Sequence, residues 1–181
     1  MQYNKKYTLK NGKEAHLRNG VASDGQAVLD NFNLTHQETD FLLSYPDENS
    51  FDAVREGEFL EQKTQSENEI EIVAFVDGKV AGTAGIASMG GLYKVKHRAE
   101  VGMAVAKEYW HQGIGRALLE ACIQCAKDAG YAQLELNVVA DNARAIALYE
   151  QEGFVEYGRN PKGFYSRISG FQEVVSMLLE L

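Results

Sequence analysis

A chain of 181 residues, 45% hydrophobic and 24% charged, is long enough for one domain with a substantial core. Its formal charge of −8 repels nucleic acid, and no cluster of Lys and Arg is large enough to reverse that locally. No apolar run approaches the roughly 18 to 20 residues of a membrane span, and residues 1–6 lack the apolar core of a signal peptide. The expectation is a cytoplasmic protein with neither nucleic acid nor membrane as partner.

In chain order, residues 3–18 read as a strand pair turning at Asn11-Gly12, a strong hairpin dipeptide. Ser23-Asp24 is placed to cap a helix through about Phe32. Thr35, with Glu38 three residues on, has the capping-box pattern and predicts a second short helix ending before Pro46. A third helix is expected from Phe51 to Lys63. The period then changes to two. Residues 70–76 and 79–89 form a hairpin about Asp77-Gly78, and His97–Ala106 is a further strand. An amphipathic helix covers 113–129 and stops at Gly130. Leu134–Val139 is a short apolar strand. Asp141 or Asn142 caps a helix that ends at Gly153, and Phe154–Arg159 and Phe171–Leu179 are the final strands.

Only two prolines occur, Pro46 and Pro161, with no linker or repeat, so no domain boundary is expected. The order predicts a single α/β (α+β) domain, with a mixed, mostly antiparallel central sheet flanked by helices. The Phe171–Leu179 strand is apolar, and at a sheet edge it would support a homodimer. The two cysteines, Cys122 and Cys125, have C-x-x-C spacing, which raises a redox or metal role. However, Ile114, Leu118, Cys122, Cys125, Ala126 and Ala129 recur on one helix face. No second Cys or His pair accompanies them. They read as small core residues, and no metal is expected.

The segment Gln112-Gly113-Ile114-Gly115-Arg116 lies between a strand and a helix. Glycine permits positive φ and lets a ligand approach where a Cβ would obstruct it. The first amides of the next helix lack internal partners and face such a ligand, with the helix dipole adding positive charge. His111 and Arg116 can add to it. The turn is neither a Walker A loop nor a dinucleotide fingerprint, because no Gly-Lys-Ser/Thr follows and Leu118 replaces a third glycine. Further on, Asn142 and Tyr149 are seven residues apart and share a helix face.

The two motifs, Gln-Gly-Ile-Gly-Arg-Ala-Leu and then Asn-x-x-Ala-x-x-Leu-Tyr-Glu-x-x-Gly-Phe, resemble the GNAT superfamily of N-acetyltransferases. The resemblance is close over residues 97–158, looser over 70–96 and 159–181, and weak before 65. It implies acetyl-CoA as donor, with a donor-binding core over 66–181 and the acceptor-side strand and helices in 1–65. By similarity His111, Gln112, Gly113, Ile114, Gly115 and Arg116 hold the diphosphate. Met103, Ala104 and Val105 hold the pantetheine arm, Asn142 contacts the cofactor, and Tyr149 protonates the departing thiolate. Two positions depart from the family pattern. Trp110 stands where Arg or Gln is usual. Asn137 stands where the subgroup acting on ribosomal protein N-termini often has Glu.

An alkylammonium with a pKa near ~10.4 is neutral only about once in ~2,500 molecules at pH 7, a cost of roughly 4.6 kcal/mol that a general base reduces. By similarity that base is Glu100, with His97 and Glu71 as alternatives. A tyrosine near ~10 is a weaker acid than a thiol near ~8.5, so a positive end is expected beside Tyr149. A covalent acetyl-cysteine route would need Cys122 or Cys125 at the site. The acidic chain suggests a small cationic amine as acceptor, although surface acid also serves solubility alone. A peptide or protein acceptor, or a non-catalytic acyl-CoA-binding module, are the alternatives.

Overall fold

The computed structural model describes residues 1–181. Strands β1 (Asn4–Thr8) and β2 (Glu14–Asn19) form the first hairpin, with Gly12 at φ 82° in its loop. Helices α1 (Gly25–Glu38) and α2 (Ala53–Gln65) follow. The Asp52 carboxylate caps α2 by accepting from the amides of Val54 and Arg55. Then come β3 (Ile70–Val76) and β4 (Lys79–Ser88), joined by Asp77 and Gly78, both at positive φ as a tight hairpin turn requires. The chain continues through β5 (Arg98–Val105), α3 (Ile114–Asp128), β6 (Gln133–Val139), α4 (Ala143–Gln151), β7 (Val155–Ser166) and β8 (Gly170–Glu180).

These strands form one eight-stranded sheet in the order β1-β2-β3-β4-β5-β6-β8-β7. Every neighbouring pair is antiparallel except β5 and β6, which are parallel. Alternation along the strands sorts side chains onto two faces. Ile70, Ile72 and Ala74 of β3 join the large apolar cluster built on α3. Val73, between them, packs with Val28 of α1 and Leu60 of α2 on the opposite face. Cys122 and Cys125 are 0% and 3% exposed on the core side of α3. Burial raises the Cys122 thiol well above its ordinary value and brings Cys125 up to about 11. Both behave as the core residues their spacing predicts.

The parallel pair controls access to the sheet's centre. β5 and β6 pair only through Arg98–Gln133, Ala99–Leu134 and Glu100–Glu135. Arg98 and Glu135 clamp that end, with Nη2 to Oε2 at 2.7 Å. Beyond it the two strands diverge. The edge of β5 from 101 to 105 and that of β6 from 136 to 139 have no ladder between them, which leaves a wedge in the middle of the sheet.

Three sequence expectations are corrected. First, the helix about Thr35 does not exist as a separate element. Thr35 is buried inside α1, where its hydroxyl donates back to the Phe32 carbonyl at 3.1 Å. Glu38 accepts from the Lys107 amide at 2.8 Å rather than closing a capping box. Second, β8 is not at an edge, because it pairs with β6 on one side and β7 on the other. The edge strand is β7, which carries Glu156, Arg159, Pro161 and Lys162 along it, as exposed edges that resist pairing do. The edge argument for a homodimer through Phe171–Leu179 therefore fails. Third, β7 extends to Ser166, past the expected Arg159, because Pro161 falls within a register irregularity between Asn160 and Phe164 where no ladder bond is needed.

The α1–α2 connection is fastened to the β7–β8 turn. The Asp40 carboxylate accepts from Ser166 Oγ at 2.7 Å, Ser169 Oγ at 2.9 Å and Tyr45 OH at 3.1 Å. Partial burial raises its pKa, but these three bonds together bring it below the ordinary carboxyl value. A depressed folded pKa stabilises the fold above the unfolded value of ~3.9 and loses that contribution as pH falls, so the latch is closed at neutral pH. Asp40→Ala is expected to lower Tm by about 4 to 8 °C, corresponding to roughly 2 kcal/mol of lost charge-assisted bonding. It should also open residues 39–50 to limited proteolysis. A melting curve superimposable on the wild type would show that the latch contributes nothing.

Candidate active site

A cavity of about 470 Å³ opens at the wedge. Of the residues expected to hold the donor, all except Gln112 line it, and Tyr149 lines it too. The floor is Met103, Ala104 and Val105 of β5, just past the point where the β5–β6 ladder ends. The rim is the turn before α3. His111 has φ 65° and Gly113 has φ 101°, so two left-handed residues redirect the chain just before the helix starts at Ile114. The first amides of α3 therefore face the cavity without internal partners.

Charge in the cavity is one-sided. Lys10, Arg116, Arg144 and His111 line it, and no Asp or Glu does. In a chain of net charge −8 this is a local reversal suited to a polyanion. The Arg144 guanidinium lies 3.7 Å from the centroid of the Trp110 ring and donates to His111 Nε2 at 3.2 Å. Trp110 in turn donates from its indole nitrogen to the Val105 carbonyl at 2.6 Å. The departure at Trp110 thus has a structural role: the ring is a shelf that holds Arg144 beside the diphosphate turn.

Gln112 holds the turn from outside. Its carbonyl accepts from the Lys10 amide at 3.1 Å, and its side-chain oxygen accepts from Asn11 Nδ2 at 2.8 Å. The β1–β2 loop is thereby docked on the turn, and this brings Lys10 to the cavity. Sequence reading missed Lys10 and Arg144. Arg144 had a signal, since it lies within the second motif. Lys10 had none, because its role depends on a contact spanning about a hundred residues.

Asn142 caps α4, its Oδ1 accepting from the Ala145 amide at 3.3 Å, and also lines the cavity. Tyr149, two turns later, packs its ring 5.8 Å from Phe154. Burial, and secondarily the Cys122 thiol, push its pKa up to about 12. The positive end expected beside it is not found: no cation contributes to the shift. A proton transfer from ~12 to a free thiolate at ~8.5 would be uphill by roughly 5 kcal/mol. A thiolate formed in the same low-dielectric pocket is destabilised by the same burial, which narrows the gap. Neither cysteine lines the cavity, which removes the acyl-cysteine route.

Glu100 lies outside the cavity, exposed on β5. It shares a sheet face with Gly102 and with the cavity-lining Ala104, because alternate residues point the same way. Gly102, between Glu100 and Ala104 on this face, has open space where a Cβ would be. The same face carries α1 and α2, whose connection contributes Thr39, Phe41 and Leu42 to the opposite cavity wall.

A split parallel pair, a glycine turn feeding a helix, and a cationic mouth above an apolar floor define an acyl-CoA site. The profile of the acetyltransferase (GNAT) family matches residues 33–154, and the chain belongs to that family. The chain is 42% identical over 79 residues to the [ribosomal protein bS18]-alanine N-acetyltransferase of Escherichia coli K12, a match covering 44% of this chain and 53% of that protein. It therefore spans about half the length of the curated relatives it matches. Among solved structures it superposes on a GNAT-family acetyltransferase from Streptococcus pneumoniae with TM-score 0.88 and 29% identity, covering 92% of this chain and 99% of that one. A Sinorhizobium meliloti phosphinothricin acetyltransferase in complex with acetyl-CoA shares the fold, with TM-score 0.80 and 18% identity over 97% of this chain and 89% of that one. No helix is long and apolar enough to cross a membrane.

Proposed function

We propose that the protein transfers the acetyl group of acetyl-CoA directly to a primary amine of a small cationic molecule. The observation that carries the reading is the wedge with its cationic, carboxylate-free mouth. It suits a diphosphate at the α3 turn, with Arg144, Arg116 and Lys10 about it, and a pantetheine chain laid along Met103–Val105. The acyl end then lies near Tyr149 at the inner end.

In the proposed step Glu100 takes a proton from the acceptor ammonium. The amine lone pair attacks the thioester carbonyl and the C–N bond forms; the nitrogen then gives its second proton to solvent as the C–S bond breaks. Tyr149 gives its proton to the leaving sulfur and is restored from solvent. Residues 66–181 supply the donor site and residues 1–65 the acceptor wall, with Lys10 reaching back to the donor. The small acceptor is favoured by the fastened wall: Asp40 holds the α1–α2 connection against the β7–β8 turn, which narrows the approach. A second reading, N-terminal acetylation of a peptide, is favoured by the similarity to the alanine N-acetyltransferase of E. coli.

Isothermal titration with acetyl-CoA, followed by thiol-release assays on aliphatic amines and on short peptides with N-terminal alanine, tests both. Tight binding with release on the amines supports the proposal, and release on peptides alone moves it to the second reading. Binding without release on any acceptor would favour a non-catalytic sensor. No binding would remove the donor assignment.

A further inference from the structure

The acceptor face holds a carboxylate that the mechanism above does not use. Glu71 of β3 lies on the face of Val73, toward α1 and α2. Its register partner on β4 is Gly85, whose own partner on β5 is Gly102. These three positions form one row across the sheet, and two of them have no side chain. Glu71 uses that space: a Cβ on Gly85 would be 2.0 Å from Glu71 Oε2, so the carboxylate lies over Gly85 and extends toward β5. Strands are about 4.8 Å apart, which leaves roughly one strand spacing between the carboxylate and the open space at Gly102. Glu100 is two residues to one side of Gly102, and Ala104, in the cavity wall, is two residues to the other.

We propose that Glu71 is the ammonium-holding residue of the acceptor site, lying over Gly85 and facing the gap at Gly102, and that the acceptor is a cationic aliphatic amine. This rests on the transferase reading for the location of the donor. Two adjacent glycines remove side chains from this row, and the Glu71 carboxylate is placed over the first of them.

The electrostatic setting agrees. Burial and the Glu56 charge on α2 raise the Glu71 carboxyl to about 7, against the Thr83 hydroxyl, which donates to it, and Lys63 on α2. Lys63 is itself paired with Glu69 at 2.7 Å. Across the sheet the Glu71 charge adds to burial in raising the Cys122 thiol, which stays protonated. The carboxylate is thus short of positive charge, and an alkylammonium supplies it. By linkage, a cation that binds only the ionised form must lower the Glu71 midpoint.

The test uses the full chain saturated with CoA, which carries no acetyl group to transfer. The probes are n-butylammonium chloride and, as the neutral control, n-butanol. The Glu71 side-chain carboxyl carbon is followed by NMR against pH and assigned by its loss in Glu71→Gln. The expected result is a midpoint that falls by about one pH unit with n-butylammonium and does not move with n-butanol, together with binding weakened about tenfold in Glu71→Gln. Gly102→Val, whose Cβ would meet no atom within 4 Å, narrows the gap and should abolish the amine response, with its melting temperature measured alongside. A Glu71 midpoint indifferent to the amine, or equal amine binding by Glu71→Gln, overturns the proposal. CoA affinity measured on the same samples reports separately on the donor site and should be unchanged in both variants.

Discussion

Tyr149→Phe is expected to lower kcat by about 10- to 1,000-fold while acetyl-CoA affinity stays within about twofold. The ring remains, so packing against Phe154 and the cavity shape are preserved and only the proton is lost. The pKa, raised to about 12, strengthens the expectation in one respect: the hydroxyl is fully protonated at any working pH, so the proton is always present to give. It also predicts the shape of the defect. A donor thioester whose thiol is more acidic than that of CoA needs less help in leaving, and the variant should recover part of its rate with it. Steady-state thiol release with both donors checks this. An unaltered kcat would leave Tyr149 as a packing residue.

Gly113→Val should raise the acetyl-CoA dissociation constant by about 100-fold or more, near 2.7 kcal/mol. Two effects add. At φ 101° a β-branched residue is strained, so the turn relaxes away from the geometry that presents the first amides of α3. A Cβ at this position meets no protein atom within 4 Å, and Gly113 lines the cavity, so the branched side chain starts in the open space proposed for the diphosphate. The strain costs on the order of 1 to 3 kcal/mol of fold stability, so the melting temperature is measured alongside. A folded variant that binds acetyl-CoA like the wild type would mean that the turn is only structural.

The donor half of the molecule was legible because its parts are local. Gly113 and the following helix are consecutive, and Asn142 and Tyr149 share one face of one short helix. The acceptor half was not. The Thr35–Glu38 spacing has the form of a helix start, yet burial of Thr35 and its bond to Phe32 keep it mid-helix, while Glu38 finds its partner at Lys107. Strand β8 reads as an apolar terminal segment, and only the pairing order shows that it is interior. Lys10, Asp40 and Glu71 acquire their surroundings from segments far off in sequence: the α3 turn, the β7–β8 turn, and a pair of glycines on two neighbouring strands. No pattern within a window of ten residues encodes such contacts.

The gap between β5 and β6 also affects how long the protein lasts. Two short strand edges stand open in the middle of a sheet, and a peptide-like ligand arm can satisfy their hydrogen bonds as a missing strand would. The donor is then a structural component as well as a reagent. At a concentration a hundred times its dissociation constant it adds about 2.7 kcal/mol to stability, a large part of the margin of an ordinary domain. When acetyl-CoA is scarce, the chain loses that support and offers sticky edges to its neighbours. Under the proposed function, the donor would therefore support the fold as well as the turnover.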